Sequence, residues 1–353
     1  MNGIMTHKPL KPISLKELSS LLELSQSTVS RIVNGEAEKF RIARKTQQRV
    51  LQAAALHGYT ANTVARSLRK KRSYTVGVIV PEISEGYSTA VLGGIEDELL
   101  KDGFFYFVVS HRHRPDLLTG YPRMLQARAV EGIIAVDTPI EENLAVPLVS
   151  VSGHQQRQGV INIELDHSQA AYLALSHLKE LGHREIAFIK GQAFSSDTNR
   201  RWEAIVEEAK NLDITIHPEL VTQLQSTGPG PGPGSEVTWQ LLQSRQPFTA
   251  LFAFNDVTAM GAIMALREAG LRVPKDVSVV GFDDVLAAST YNPPLTTIRQ
   301  PLRDMGQAAA SALLGLIRDE IPHPHPAVIT VYPKLVVRKS TAHAATHTSD
   351  KGD

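Results

Sequence analysis

Residues 25–35 combine small polar side chains with a single apolar stripe, and their polar groups are of the kind that contact nucleic acid. They read Ser-Gln-Ser-Thr-Val-Ser-Arg-Ile-Val-Asn-Gly, with the apolar residues at helical i, i+3 and i+4 spacing. The hydroxyl, amide and guanidinium groups off that stripe suit base edges and phosphates. That chemistry is recognition rather than catalysis. An ordinary helical hairpin carries the same stripe, so this stretch alone leaves simple packing as an alternative.

A second amphipathic segment comes just before this one. Ser14 and Glu17 have the spacing of a capping box. The residues that follow carry an apolar stripe made of Leu15, Leu18, Leu21 and Leu22. Only residues 23–24 separate this segment from the next. Two short amphipathic helices joined by so tight a turn predict a helix-turn-helix.

The ends of the second helix, and a third helix after it, can also be read from residue types. Ser25 is a suitable N-cap, and Asn34-Gly35 is a suitable end because both residues tolerate a left-handed conformation. Residues 46–59 predict a third helix that ends near Gly58. Its apolar stripe would be formed by Val50, Ala54 and His57.

The net charge of +1 hides a division along the chain. Residues 1–72 hold 14 lysines and arginines against 4 acidic residues, whereas the remainder holds 23 against 32. A basic arm on an acidic body indicates a polyanionic partner for the arm only. A solvated basic tail is the alternative, and the coincidence of the charge with the helical motif argues against it.

Composition excludes several other classes of protein. The chain has no cysteine, so it has neither a disulfide framework nor a thiolate metal site. The first twelve residues have no apolar core of a secretion signal, and no run approaches the roughly 18 apolar residues of a membrane helix. We therefore expect a cytoplasmic protein with no membrane partner.

From residue 74 onward, buried-strand runs alternate with helical segments, which predicts open parallel α/β sheets. The strands fall at residues 75–80, 104–110, 132–136, 147–151, 159–163, 185–189, 250–254 and 277–282, and the helices at 88–100, 168–181, 200–210 and 258–269. These units are too many for one sheet. The fold predicted is therefore an all-α helix-turn-helix headpiece followed by an α/β core of two doubly wound parallel-sheet lobes.

Polar residues follow several of these strands, where open α/β sheets bind ligands. They are Glu82 and Ser84 after the first strand, Arg200 and Arg201 at a helix start, and Asn255, Asp256, Asp283 and Asp284 after later strands. A guanidinium with several carboxylates and amides suits a hydroxyl-rich ligand such as a sugar. Asp256 and Asp166 are more often helix caps than ligands, and Trp202 is more often a packing residue than a sugar platform.

Signals for an enzyme are weak. No phosphate-binding loop, dinucleotide fingerprint or nucleophile elbow is present. His111 with His113, and His323 with His325, lack the further ligands that a zinc site needs. The glycine-proline run at residues 228–234 lacks the backbone N–H groups of a phosphate loop and predicts a stiff surface loop. We expect no enzyme activity, no metal and no cofactor.

Several motifs in order carry a family resemblance: T-V-S-R at 28–31, N-G at 34–35, V-L-x-A-A at 50–54, G-Y at 58–59 and N-x-x-A-R-S-L at 62–68. With V-S-V-V-G-F-D-D at 277–284 and P-L-T-T-I at 294–298, they cover nearly the whole chain. This order resembles the LacI/GalR (lactose-repressor) family of bacterial transcription regulators. The resemblance implies a homodimeric repressor that binds a palindromic operator and is controlled by a small molecule of the sugar or nucleoside class.

The resemblance also implies domain boundaries. A disordered N-terminus at 1–12 would precede a headpiece at 13–60 and a hinge and linker at 61–73. The two-lobed core at 74–340 would have a periplasmic-binding-protein-like fold, with one lobe at about 74–168 and 300–325 and the other at about 169–299 and 326–340. A disordered tail at 341–353 would follow. The chain would cross between the lobes near residues 167–171, 298–302 and 323–328.

Residue roles follow from the same resemblance. Base readout would fall to Gln26, Ser27 and Arg31, and contact with the DNA backbone to Thr28, Ser30 and Asn34. In the hinge, Asn62 would cap a helix, Ala65 would allow close approach to a second hinge, and Leu68 would enter the minor groove. The positions that match the family's effector contacts are Arg201, Asn255 and Asp283, with Arg200 as an alternative to Arg201. We add Ser84 to the effector set because it follows the first strand.

Two residues depart from the family pattern. Glu23 occupies the tight turn where glycine is usual, and a positive φ there would cost roughly 1 kcal/mol. Ala43 occupies the start of the third helix where a capping serine is usual, which costs about 1 kcal/mol. Both departures predict a headpiece of marginal stability.

Overall fold

The structure is a computed structural model that describes residues 13–59, 72–83, 86–155, 157–225, 230–322 and 327–344. The chain divides into two compact units, Met1–Ser73 and Tyr74–Asp353. In the first unit lie helices α1 (Leu15–Leu21), α2 (Gln26–Val33) and α3 (Arg44–Leu56). None of the helices within the described ranges is long and apolar enough to cross a membrane.

The core of the first unit follows the predicted stripes, with two exceptions. The buried residues are Leu18, Leu22, Val29, Ile32, Ala37, Val50 and Ala54. Leu21, predicted to be on the apolar face, is 54% exposed. His57, predicted to lie on the stripe of α3, is the exposed C-cap of that helix instead. Leu21 is the last residue of α1 and His57 follows the last residue of α3, so both lie at helix ends, outside the core.

The predicted helix caps of α1 and α2 are confirmed. The Glu17 backbone N–H donates to Ser14 Oγ at 3.2 Å, and the Ser14 N–H donates to Glu17 Oε2 at 2.8 Å, which is a complete capping box. Ser25 Oγ accepts from the Thr28 N–H at 3.1 Å.

The two unfavourable departures are also present in the structure. Glu23 has φ +52°, in the left-handed region that favours glycine. Ala43 is the N-cap of α3 and provides no side-chain hydrogen bond. One of the orphan N–H groups at the start of α3 therefore lacks the side-chain acceptor that a serine would supply.

The second unit contains two six-stranded sheets. The strands of the first sheet are β1 (Thr75–Val80), β2 (Phe105–Ser110), β3 (Gly132–Val136), β4 (Leu148–Val151), β5 (Val160–Leu165) and β11 (Ala327–Val331). Their order in the sheet is β11-β5-β4-β3-β1-β2, and every neighbouring pair is parallel. Helices α4 (Tyr87–Lys101) and α11 (Leu302–Ile317) pack on one face, and α5 (Pro115–Ala127) packs on the other.

The strands of the second sheet are β6 (Ile186–Lys190), β7 (Val221–Gln223), β8 (Ala250–Ala253), β9 (Ser278–Asp283), β10 (Thr296–Arg299) and β12 (Lys334–Val336). Their order in the sheet is β12-β10-β9-β8-β6-β7, and the sheet is parallel except for the antiparallel edge strand β12. The helices of this lobe are α6 (His167–Glu180), α7 (Ser196–Asn211), α8 (Gly232–Gln243), α9 (Asp256–Glu268) and α10 (Leu286–Thr290), with a 3₁₀ turn at Pro218–Leu220.

The predicted course of the chain needs one correction. The first two passages between the sheets lie at Asp166 and at residues 300–301, close to the predicted positions. The third was placed at residues 323–328, but β11 pairs with β5 in the first sheet. The chain therefore crosses from the first sheet to the second at residues 332–333. Residues 327–331 belong to the first lobe, not to the second.

Close packing of helices depends on glycine at two contacts. A Cβ on Gly94 in α4 would overlap the Arg303 carbonyl oxygen of α11. A Cβ on Gly261 in α9 would overlap the Pro231 carbonyl oxygen at the start of α8. The second contact corrects the prediction that residues 228–234 form a surface loop, because the latter part of that run begins a packed helix. Residues 226–229 lie outside the described part of the chain.

Candidate functional site

Helix α2 presents a polar surface opposite its buried stripe. Gln26 and Ser27 are exposed, and Thr28 and Ser30 are partly exposed. Ser25 Oγ lies 2.8 Å from both Ser27 Oγ and Thr28 Oγ1, so the hydroxyls at the helix start form one local network. Backbone N–H groups at a helix start attract phosphate oxygens, and exposed amide and hydroxyl groups beside them can reach bases.

Arg31 and Asn34 have contacts that the sequence did not indicate. The Arg31 guanidinium lies 3.8 Å from the centre of the Phe40 ring, in the segment that joins α2 to α3. The Asn34 side-chain amide donates to the Ser30 carbonyl oxygen at 2.7 Å and to Ser30 Oγ at 3.2 Å. The Asn34 amide, which was expected to contact the DNA backbone, therefore caps the C-terminal end of α2.

Some predicted site residues lie outside the described part of the chain. They are Asn62, Ala65 and Leu68 of the hinge, Ser84 of the effector set, and His323 and His325.

In the second unit, a cleft of about 190 Å³ opens at the carboxyl ends of strands from both sheets. It brings together Arg201, Asn255 and Asp283, three of the predicted effector residues. It also contains residues that were not predicted, among them Tyr87, His113, Asp137, Phe194 and Asp197.

The side chain of Arg201 lies buried at this cleft and contacts several groups. It is 4% exposed, and its guanidinium lies 4.4 Å from the centre of the Phe254 ring and 3.7 Å from that of Phe282. One NH2 group donates to Asp197 Oδ2 at 3.3 Å, and the other donates to the Phe254 carbonyl. The side chain of Arg200 is 49% exposed, so Arg201 is the guanidinium of the cleft.

Asp283 ends β9 in an unfavourable backbone conformation, with φ +109°. Its Oδ1 accepts from Gln300 Nε2 at 2.6 Å. Burial raises the pKa of Asp283 to about 7, and Arg201 and Gln300 only partly offset it. Asn255 caps α9 by accepting from the Thr258 N–H at 2.8 Å, so its side-chain nitrogen is the group left for a ligand.

Other candidates have structural roles. Asp256 accepts from Thr297 Oγ1 at 2.6 Å and from the Val285 N–H at 2.8 Å, which links the start of α9 to β10 and to the loop after β9. Asp166 caps α6, as predicted. Asp284, which directly follows β9, pairs with Arg299 and Arg338, whereas Asp283 accepts from Gln300. Trp202 packs edge-on against Phe188, as predicted.

Sequence reasoning missed a polar junction between the lobes. Asp137, directly after β3 in the first lobe, accepts from Ser196 Oγ at 2.7 Å and from the Ser196 N–H at 3.3 Å, at the start of α7 in the second lobe. Burial raises the pKa of Asp137 to about 7, and nearby Asp197 adds to the effect. The rule that ligands meet strand ends would have found Asp137, because it follows Val136.

A second part of this junction joins residues that are far apart in sequence. His154 Nε2 lies 2.7 Å from Asp197 Oδ1, and His167 Nε2 lies 3.3 Å from the same oxygen. Burial opposes the charge on His154, but hydrogen bonds to Asp197 and Glu164 outweigh it and raise its pKa to about 9. Burial also opposes the charge on Asp197, but the surrounding histidines and Arg201 hold its pKa well below the usual value.

Known proteins resemble this chain in sequence and in fold. A model for a periplasmic-binding-protein-like domain matches residues 175–341. The HTH-type transcriptional repressor PurR of Haemophilus influenzae is 32% identical over 342 residues, which is 93% of this chain and 98% of the relative. The chain belongs to the LacI/GalR family. Its members are DNA-binding transcription repressors controlled by small molecules, and they are not enzymes.

Solved structures of this family have the same fold. The lac repressor dimer bound to operator and the anti-inducer ONPF superposes with a TM-score of 0.82 at 28% identity, covering 94% of this chain and 100% of that one. The transcriptional regulator CelR in complex with cellobiose superposes with a TM-score of 0.69 at 25% identity, covering 93% and 99%. The expected headpiece and two parallel-sheet lobes are therefore confirmed.

Proposed function

We propose that a homodimer of this LacI-family repressor reads a roughly palindromic operator with helix α2. The observation that carries this is the exposed pair Gln26 and Ser27 on a helix whose opposite face, Val29 and Ile32, is buried. A helix held in this way can lie in the major groove without losing its core contacts. The lac repressor structure named above is a dimer on its operator, which supports two-fold symmetry.

Within α2, Gln26, Ser27 and Arg31 would read bases, and Thr28 and Ser30 would meet the backbone. Asn34 stays a predicted contact with the DNA backbone, and its amide also donates to the Ser30 carbonyl oxygen at the end of the helix. The hinge roles of Asn62, Ala65 and Leu68 stay predictions from the family resemblance. A repressor that acts on bacterial DNA would work in the cytoplasm.

Selection of bound sequences from a random duplex pool by the full-length protein tests this reading. An enriched palindrome is expected. Gln26→Ala should relax preference at one base pair of each half-site, since a bidentate base contact is worth about 1–3 kcal/mol. Gln52→Ala, the same change at an exposed position of α3, is the matched control. Unchanged base-pair preference in Gln26→Ala would show that Gln26 does not read bases.

The effector of this repressor would be a small hydroxyl-rich molecule of the sugar or nucleoside class, bound by Arg201, Asn255 and Asp283. These groups line one cleft and offer a guanidinium, an amide and a carboxyl, which can bridge neighbouring hydroxyls. Aromatic faces of Tyr87 and Phe194 in the same cleft suit a ring. The cellobiose complex of CelR supports a sugar.

A panel of sugars and nucleosides, screened by thermal shift and then by operator binding, tests this assignment. Asp283→Ala should abolish the shift and the effector response but retain operator binding. Asp276→Ala, on the surface of the same lobe, should retain both. Loss of operator binding in Asp283→Ala would instead indicate a folding role.

A further inference from the structure

His154, His167 and Asp197 form a compact cluster where the two lobes meet. Their candidate ligand atoms all lie within 4.8 Å of one another. The three side chains are only 8%, 9% and 6% exposed, respectively. Two imidazoles and one carboxylate are the ligand types of catalytic-type zinc sites, which keep a fourth position open. We propose that His154, His167 and Asp197 bind a divalent transition metal of the Zn²⁺ type at the edge of the effector cleft.

The orientation of the side chains supports coordination. Both Nε2 atoms point at the same oxygen, Asp197 Oδ1, from 2.7 and 3.3 Å. The other carboxylate oxygen is held by Arg201 at 3.3 Å, which leaves Oδ1 for the metal. A metal ion between these atoms would replace the hydrogen bonds that now join them. With metal–ligand distances of about 2.0–2.1 Å and tetrahedral angles, ligand atoms lie roughly 3.3 Å apart, so His154 Nε2 and Asp197 Oδ1 would move slightly apart to admit the metal.

A supporting group for one ligand is also in place. His154 Nδ1, on the side of the ring away from Asp197, lies 3.4 Å from Glu164 Oε2. A carboxylate in this position fixes the ring and its tautomer in many metal sites.

The cluster lies at the edge of the effector cleft. The described lining of that cleft includes Asp197 together with the carboxyl groups of Glu82, Asp137 and Asp283, and Arg201 is its one guanidinium or ammonium group. Asp197 belongs both to the cleft and to the cluster, so the open coordination position would face the effector. His154 comes from the first lobe and the other two ligands from the second, so a bound metal would join the lobes.

Titration of the full-length, untagged and chelator-treated protein with Co²⁺ tests the proposal, because tetrahedral Co²⁺ absorbs visible light. We expect saturation at one Co²⁺ per chain and displacement by Zn²⁺. His154→Asn and His167→Asn should each weaken binding at least about 100-fold, and Glu164→Gln about 10-fold. His177→Asn is the matched control, since this half-buried histidine contacts Thr341 instead.

Asp197→Cys provides a positive signal. The chain has no cysteine, so a thiolate-to-cobalt charge-transfer band could come only from the introduced residue. Unfolding of each variant, followed by the fluorescence of Trp202 and Trp239, separates loss of metal from loss of fold. If Asp197→Cys does not fold, the two histidine variants decide. Absent binding, or binding of equal strength in the native protein and in folded His154→Asn and His167→Asn, would show an ion-pair cluster only and overturn the proposal.

Discussion

Asp283→Asn should change how the stability of the second lobe depends on pH. The carboxyl of Asp283 has a pKa of about 7 in the folded protein against 3.8 ordinarily, because it is buried. The folded state therefore binds more protons than the unfolded state between these values. Stability falls as pH rises through that window, and the full cost is present above about pH 7. At about 1.4 kcal/mol per pKa unit, that cost is about 4 kcal/mol.

The amide removes the ionisation and can keep the hydrogen bond from Gln300. The stability of Asp283→Asn relative to the native protein should rise by about 2–3 kcal/mol between about pH 5 and about pH 8. Urea unfolding of the full chain can measure this, because both tryptophans, Trp202 and Trp239, lie in the second lobe. Asp276→Asn is the control, since the pKa of Asp276 is lowered to about 2 by Arg272 and the group stays ionised throughout. A constant difference between Asp283→Asn and native protein at all pH values would refute a buried, neutral Asp283.

Three further changes test packing and backbone strain. Glu23→Gly should stabilise the headpiece by about 1 kcal/mol, because glycine adopts φ +52° without strain, and hydrogen exchange of the headpiece amides in the full chain should slow accordingly. Glu38→Gly is the control, since φ at Glu38 is not positive, and it should not stabilise the headpiece. Equal effects of the two changes would contradict the proposed backbone strain at Glu23. Ala43→Ser should add about 1 kcal/mol by capping α3, and unchanged exchange in α3 would mean that water already satisfies its first turn. Gly94→Ala should cost about 2 kcal/mol or more in urea unfolding, because its Cβ meets the Arg303 backbone, and a neutral result would mean that α4 and α11 can separate freely.

Much of the fold could be predicted because strand and helix periods agree with tertiary structure along most of the chain. Two of the helices that the sequence did not predict contain residues that are unfavourable in helices. Helix α5 contains Pro122 in its interior, and α8 starts within a glycine-proline run. Helix α11 was missed for another reason: ten of its sixteen residues are buried, so it shows little polar face. Strand β11 is short and largely exposed, so its place in the first sheet could not be read from its own residues.

The candidate site was predictable where a residue follows a strand. Asn255 and Asp283 were found in this way, together with the family resemblance, and Asp137 obeys the same rule. Arg201 was found from the resemblance and from a predicted helix start at residue 200, whereas the helix begins at Ser196. The junction of His154 with Asp197 could not be found, because 43 residues separate the pair and only the meeting of two lobes brings them together. The Arg31–Phe40 contact depends on a segment with no regular structure, for which residue spacing gives no prediction.

The late position of β11 and β12 in the chain has a consequence for synthesis. Each sheet receives an edge strand from residues 327–336, after every other strand has been made. During synthesis, β5 and β10 therefore keep an open edge until residues 327–336 have emerged from the ribosome. Open edges invite pairing with other chains. A truncation just before residue 327 should thus give a product that is prone to aggregate, even though it would retain the whole DNA-reading unit.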